Sequence, residues 1–208
     1  MNKSFKSPVV ILANGAFPIS KIPLDQLKSA GTVICTDGSA NNLSTLGLTP
    51  HVIIGDMDSI DSKYEFNGLK IHDNNTENSD LEKALNWVIM SNISDITVLG
   101  STGLREDMTL ANLHILFHYY DKISIKLITD HFTVTCHKGE QSFDSFHGEN
   151  VSLFAQKLDS IVTTKSLKYQ LKDSSISPPQ KGISNQSTGS TFSVECSDPI
   201  LVFRGHTK

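Results

Sequence analysis

Asp56 and Asp58 stand one residue apart in Gly55-Asp56-Met57-Asp58-Ser59, directly after the apolar run at residues 51–54 (HVII). Two carboxylates so spaced at a strand end can hold a hard divalent cation such as Mg²⁺ through oxygen, and Gly55 permits the tight turn that presents them. Such pairs also serve metal-dependent glycosyltransferases and occur in plain turns. A second stretch, Thr36-Asp37-Gly38-Ser39-Ala40-Asn41, follows another apolar run and leads into a helix expected at residues 39–46. Its small residues admit a ligand to the backbone, and the helix start offers free N–H groups to an anion. An Asp-Gly turn with a Ser cap is the ligand-free explanation. Asp80, in Asn78-Ser79-Asp80, falls in the first turn of a further helix, where a carboxylate also complements the helix dipole. The fourth stretch is Gly100-Ser101-Thr102-Gly103-Leu104-Arg105-Glu106-Asp107. Gly100 and Gly103 at a strand-to-helix junction suit phosphate contact, and Arg105 brings a planar fork for phosphate oxygens. The stretch lacks the Lys-Ser/Thr pair of a Walker A loop and is not a GxGxxG fingerprint.

These groups need a scaffold that brings strand ends together. Continuous, β-branched apolar runs at residues 8–13 (PVVILA), 32–36 (TVICT), 51–54, 95–99 (DITVL) and 123–129 (ISIKLIT) read as strands buried on both faces, as in a parallel sheet. Between them lie helical patterns. Ser79-Asp80-Leu81-Glu82 is a capping box, followed by Leu81, Ala84, Leu85, Val88 and Ile89 on one face. A second helix is expected at residues 106–119, with Leu110, Leu113 and Phe117 on one side. Strand–helix alternation predicts an α/β domain, doubly wound with right-handed crossovers, over residues 1–132. In such sheets ligands sit beyond the carboxyl ends of the strands, and all four motifs fall there. After residue 133 the pattern becomes short alternating segments at 141–146, 151–155, 160–164, 191–196 and 200–203. They predict a small all-β sandwich domain over residues 133–208. Residues 172–189, rich in Ser, Pro, Gln and Gly, read as a long loop.

Bulk properties narrow the function. The 208 residues are 38% hydrophobic and 19% charged, with a net charge of −4. That suits a globular chain and removes the basic excess that nucleic-acid binding would need. The first apolar run is too short for a signal peptide or a membrane span, so a cytoplasmic protein is expected. Cys35, Cys136 and Cys196 are widely spaced and odd in number; they read as buried, inert thiols. His114 and His118, four apart, lack a third ligand for Zn²⁺. Trp87 reads as packing, and Lys165 and Lys168 as solvated surface.

The order TDGSAN, GDMDSI, NSDLEKAL, STGLREDMTLAN resembles the thiamine pyrophosphokinase family, and so do Ser166-Leu167-Lys168-Tyr169 and Gly182-Ile183-Ser184-Asn185 before the strand TFSVEC. The resemblance runs over nearly the whole chain. It implies an N-terminal α/β domain, a C-terminal β-sandwich contributing to thiamine binding, and a homodimer. It also implies transfer of a pyrophosphoryl group from ATP to the hydroxyethyl oxygen of thiamine. By the same resemblance Asp56, Asp58 and Asp80 bind Mg²⁺ with Asp37 close by, and Asp37 and Ser79 are expected among the cofactor-binding residues. Arg105, Asp107 and Asn112 match nucleotide-contacting positions, and Ser184 and Asn185 match a Ser-Asn pair near the thiamine pocket. Asp37 or Asp80 then orients or deprotonates the alcohol. Several positions depart from the family pattern: Met108 for His or Gln, Thr76 for Lys or Gln, and Ser39, Ser101, Leu104 and Ser166 for Gly. The departures touch nucleotide contacts rather than carboxylates. Two other readings compete: a nucleotide-sugar glycosyltransferase using Asp56 and Asp58, and a thiamine- or nucleotide-binding regulator without turnover. A pure scaffold has no use for carboxylates at so many strand ends.

Overall fold

The computed structural model describes residues 5–61 and 64–206. It divides into two compact units, one running up to residue 115 and including residues 121–130, the other comprising residues 116–120 and those from 131 onward.

The first unit is built on β1 (Val9–Leu12), β2 (Thr32–Thr36), β3 (Val52–Gly55), β4 (Leu69–His72), β5 (Asp95–Leu99) and β6 (Ser124–Ile128). All six pair in parallel in the order β4-β3-β2-β1-β5-β6. The central strands are covered on both faces: Val10, Ile11, Leu12, Ile34, Cys35, Val52 and Ile53 are wholly buried. That is why their sequences are continuous apolar runs rather than alternating ones. The helices are α1 (Lys21–Lys28), α2 (Ser39–Ser44), α3 (Asp80–Met90) and α4 (Glu106–Tyr119). The capping box of α3 is formed: Ser79 Oγ accepts from Glu82 N–H (3.3 Å), and Glu82 Oε2 accepts from Ser79 N–H (3.0 Å). Trp87 packs edge-on against Phe5, with ring centroids 5.1 Å apart.

From β1 the chain winds one way to β4, then returns to the other side of β1 as β5. The connections leaving β1 and β5 therefore diverge, which opens a crevice at the carboxyl ends of those two strands.

Two elements escape the sequence pattern. β4 is an edge strand of four residues, alternately half-buried and exposed, too short and too polar to stand out. α1 carries Pro23 in its first turn, where no intrahelical N–H is required. Its start is fixed by a distant residue, since Asp130 Oδ1 accepts from Ser20 N–H (2.7 Å) and Ile19 N–H (2.9 Å). In α4 the buried positions are Asn112, Ile115, Leu116, Phe117 and Tyr119, whereas Leu110 is exposed. The expected stripe through Leu110 is thus corrected: its i, i+3 rows run beside the face that packs.

The second unit is strand-rich. Its long members are β7 (Phe132–Asp144) and β12 (Thr191–Gly205), with β8 (Asn150–Ala155), β9 (Ile161–Lys165), β10 (Ser174–Ser175) and β11 (Asn185–Gln186) completing it. The segments expected at 191–196 and 200–203 are one strand. Its register against β7 shifts between Cys196 and Ile200, where Pro199 sits in a bulge that needs no ladder hydrogen bond. The bulge redirects the strand. Residues before it pair with β9, and those after it pair with β8. Phe143, Val151, Leu153, Val162, Phe192, Val194 and Val202 meet in one core, so the two halves of β12 enclose it from both sides. The stretch read as one long loop, 172–189, contains β10, a 3₁₀ turn at Pro179–Lys181 and β11. Cys35 and Cys196 are buried and Cys136 is half-buried. Burial pushes the Cys35 and Cys136 thiols up to about 12, which keeps them protonated and unreactive. No described helix is long and apolar enough to cross a membrane.

Candidate active site

Asp37 leaves the end of β2 with φ of +33°, and its side chain is 3% exposed. Ser59 N–H donates to its Oδ2 (3.1 Å), while its Oδ1 is buried and meets no hydrogen-bond donor of the protein. Asn41 clamps the facing turn: its Nδ2 donates to Ser59 O (2.9 Å), and its Oδ1 accepts from Asp61 N–H (3.1 Å). Ser39 Oγ ties the start of α2 to Leu12 O (2.7 Å). The stretch 37–41 is therefore part scaffold and part site.

Gly55 closes β3 with φ of +152°. A Cβ there would stand 2.9 Å from Asp37 Cβ and 3.4 Å from Asp80 Cγ, so only glycine lets these carboxylates close in. Asp37, Asp56 and Asp58 each offer an oxygen, and these atoms lie within 4.8 Å of one another. Ser59 Oγ donates to Asp58 Oδ1 (2.8 Å). That bond, with a second shared with Asp37, holds the Asp58 pKa below its ordinary value. Asp37 goes the other way. Burial, with added pressure from Asp58, Asp80 and Asp56, lifts it from 3.8 to about 6 against the pull of Ser59 N–H. An acidic cluster with an orphaned buried oxygen is the donor set of a hard cation.

Asp80 stands at the start of α3. Its Oδ1 accepts from Lys83 Nζ (2.9 Å), and the lysine side chain is only 5% exposed. Burial works to lower the lysine pKa, but Asp80, Asp56 and Asp73 together outweigh it and keep the ammonium charged. Asp80 thus has one oxygen committed to a counter-ion, unlike the three carboxylates beside it. Sequence reading missed Lys83 because a lysine on a capped helix looks solvated. The signal lay in its position three residues after Asp80, on the face that carries Ala84.

Across from the carboxylates, the chain leaving β1 lies along the chain leaving β5. Gly15 N–H donates to Gly100 O (2.7 Å) and Ala16 N–H to Thr102 O (2.8 Å). A Cβ on Gly15 would strike Gly100 O at 2.5 Å. Together they bound a cleft of about 280 Å³, lined among others by Asn14, Ser79, Asp80, Ser101, Arg105 and Asn112. Gly103 and Met108 are also on its wall. Residues 13–15 are a second omission of the sequence reading, although they too follow a strand. Arg105 and Asp107 form a forked pair (Nε–Oδ1 3.1 Å, Nη2–Oδ2 2.6 Å) on the exposed rim. Each holds the other in its charged form. Asn112 is buried, its Nδ2 donating to Ser101 O (2.7 Å).

Ser184 and Asn185 belong to the second unit. Asn185 is buried and locks Tyr169: its Oδ1 accepts from Tyr169 N–H (2.9 Å), and its Nδ2 donates to Tyr169 O (2.6 Å). Ser184 is exposed, with φ of +57°. Two positions noted as frequent glycines, Leu104 (φ +61°) and Ser166 (φ +59°), adopt left-handed backbone. Thr76 is exposed.

Comparison with known proteins adds an independent line. The profile of the thiamin pyrophosphokinase catalytic domain matches residues 24–128, and that of the thiamin pyrophosphokinase vitamin B1 binding domain matches residues 131–201. Thiamin pyrophosphokinase 1 of Caenorhabditis elegans is 24% identical over 157 residues, covering 67% of this chain; the chain spans 64% of that relative's length. Thiamine pyrophosphokinase from Bacillus subtilis superposes with a TM-score of 0.80 at 21% identity, covering 95% of this chain and 98% of its own. Thiamin pyrophosphokinase from Candida albicans gives 0.81 at 20% identity, covering 94% and 88%. These superpositions speak for the fold, and the two matched profiles, in order and spanning most of the sequence, decide the rest: the chain belongs to the thiamin pyrophosphokinase family.

Proposed function

We propose that this chain transfers the pyrophosphoryl group of ATP to the hydroxyethyl oxygen of thiamine, giving thiamine diphosphate and AMP. The observation that carries the reading is the convergence of Asp37, Asp56 and Asp58 after β2 and β3, next to a glycine- and arginine-rimmed cleft that Thr36 and Asp80 line. Attack falls on the β-phosphorus. The O–P bond to thiamine forms as the bond to the α-phosphate oxygen breaks, and AMP leaves with that oxygen. Such transfers depend on positioning and on neutralising polyphosphate charge.

Asp56, Asp58 and Asp37 would hold Mg²⁺, with the free oxygen of Asp80 beside them. The cation supplies charge neutralisation on the phosphate oxygens. Arg105 adds a planar cation for the polyphosphate at the exposed rim. Asp107 keeps that guanidinium aligned until a phosphate competes for it. The Gly100–Gly103 turn admits phosphate to the backbone, and Ser79, capping α3, keeps Asp80 at the mouth. Once the thiamine hydroxyl is in place, a carboxylate not engaged by metal takes its proton, and Asp80, outside the set of three, is placed for that role.

Thiamine recognition falls to the second unit, residues 133–208, with Asn185 bracing Tyr169 and Ser184 offering its hydroxyl. The α/β part, residues 1–132, handles nucleotide and metal. The working form is a cytoplasmic homodimer.

The test is to incubate the purified protein with thiamine, ATP and Mg²⁺ and separate the products. Thiamine diphosphate and AMP in equal amounts are expected. ADP with thiamine monophosphate would replace this reading with a simple kinase, and no thiamine phosphate at all would remove it.

A further inference from the structure

Two buried polar atoms of residues that line the cleft stay without partners after everything above has been assigned. Ser101 Oγ and Asn112 Oδ1 are both buried, in residues 3% and 7% exposed, and neither has a hydrogen-bond partner in the protein. Both residues line the cleft. A buried hydroxyl and a buried amide oxygen left unpaired each cost stability until a water or a ligand completes them.

The orientation of the Asn112 amide is fixed. Its Nδ2 donates to the main-chain carbonyl of Ser101 (2.7 Å), and a carbonyl can only accept. Oδ1 is therefore the end left free, and it accepts only. The same bond links the two residues directly, so the two orphan atoms belong to one patch of wall.

That donor set discriminates between parts of a nucleotide. A phosphate oxygen, ionised near neutral pH, has no proton for Asn112 Oδ1 and would be repelled by it. A hydroxyl can donate to Oδ1 and accept from Ser101 Oγ at once. Resting on the nucleotide reading of the cleft, we propose that Ser101 Oγ and Asn112 Oδ1 receive a hydroxyl of the nucleotide ribose, making Ser101 a sugar-selecting residue. The phosphates then point away from this wall, toward Arg105 and the carboxylates. The acceptor alcohol of thiamine offers the same chemistry, and the experiment separates the two sources.

Binding of ATP, 2′-deoxyATP and 3′-deoxyATP is measured by titration calorimetry with Mg²⁺ and without thiamine, so no turnover is needed. The protein should bind ATP roughly tenfold more tightly than one of the deoxynucleotides, which loses the hydroxyl and both of its hydrogen bonds. In Ser101→Ala that preference should shrink to about threefold, because only the bond to Asn112 Oδ1 remains, while affinity for the deoxynucleotide stays as in the original protein; this constancy also verifies the fold. A preference undiminished in Ser101→Ala overturns the inference, as does its absence in the original protein or a failure to bind any of the three. A raised KM for thiamine in Ser101→Ala, with ATP binding unchanged, assigns the wall to the alcohol and overturns the ribose assignment. If ATP binds with the expected preference but no thiamine diphosphate forms, the pyrophosphokinase reading fails and the sugar site stands.

Discussion

Asp37 and Glu149 are both carboxylates at 2–3% exposure, one in each unit, and their surroundings are opposite. Glu149 is fully served. Arg204 donates from Nε to its Oε1 (2.9 Å) and from Nη2 to its Oε2 (3.2 Å), and Ser145 Oγ donates to Oε2 as well. The guanidinium lies over Phe143 and Phe192, which shields the pair from water. Asp37 has one backbone donor, one orphaned oxygen and three carboxylates around it. A buried charge with its counter-ion built in belongs to the architecture; a buried charge without one leaves room for a cation from solution. The contrast separates a structural acid from a functional one more sharply than burial alone.

The largest way to test this contrast is through activity. Asp56→Asn should lower kcat about a hundredfold to a thousandfold, as loss of a principal electrostatic group does, while melting in EDTA stays level or rises because repulsion is relieved. A fall in melting temperature matching the loss of activity would make Asp56 structural. Glu149→Ala should do the reverse. Urea unfolding should show a loss of about 3 kcal/mol from stranding Arg204, with kcat per folded molecule preserved. Lys83→Met lies between the two. It removes the counter-ion of Asp80, so it should destabilise the metal-free protein by roughly 1–2 kcal/mol, and Mg²⁺ should restore part of that in a thermal melt; no recovery would mean the lysine serves packing alone.

A smaller effect lies in pH. Because the folded pKa of Asp37 is raised from 3.8 to about 6, the native state favours its protonated form. That contribution is whole below about pH 4 and lost as pH rises through 6. In EDTA, the melting temperature of the original protein should fall across this window relative to Asp37→Asn, and saturating Mg²⁺ should cancel the trend by favouring the carboxylate. Parallel curves for the two proteins would mean Asp37 is not the buried acid described. Smallest is Ser166→Gly. At φ of +59° a Cβ is strained by about 1 kcal/mol, so the glycine variant should gain up to that amount in urea unfolding. Any loss would show that the serine side chain contributes more than the strain it carries.

Much of the first unit was legible beforehand because its signals are local. A strand buried on both faces must be a continuous apolar run, so β1, β2, β3 and β5 appear in the sequence nearly at their true bounds; β6, read the same way, is corrected to a strand with Ser124 and Lys126 exposed. The Ser79–Glu82 capping box is a four-residue pattern, and it formed as read. β4 and α1 were not legible: the first has one neighbour and few apolar residues, and the second is started by Asp130, about a hundred residues away. In the second unit, β12 reads as two strands because Pro199 breaks the alternation, and only the register shift against β7 shows one chain direction serving two partners.

The sequence by itself determined which residue types stand at the strand ends, the parallel sheet that carries them and, through the order of its motifs, the family. Tertiary structure alone decided which carboxylates converge. Asp37 and Asp80 close in over Gly55 because it lacks a Cβ, and one oxygen of Asp80 is engaged by a lysine that only packing could bury. It also decided that Ser101 and Asn112, each with an unpaired buried atom, line one cleft. Distance and burial, which set electrostatic energies, are properties of the folded chain and not of spacing along it.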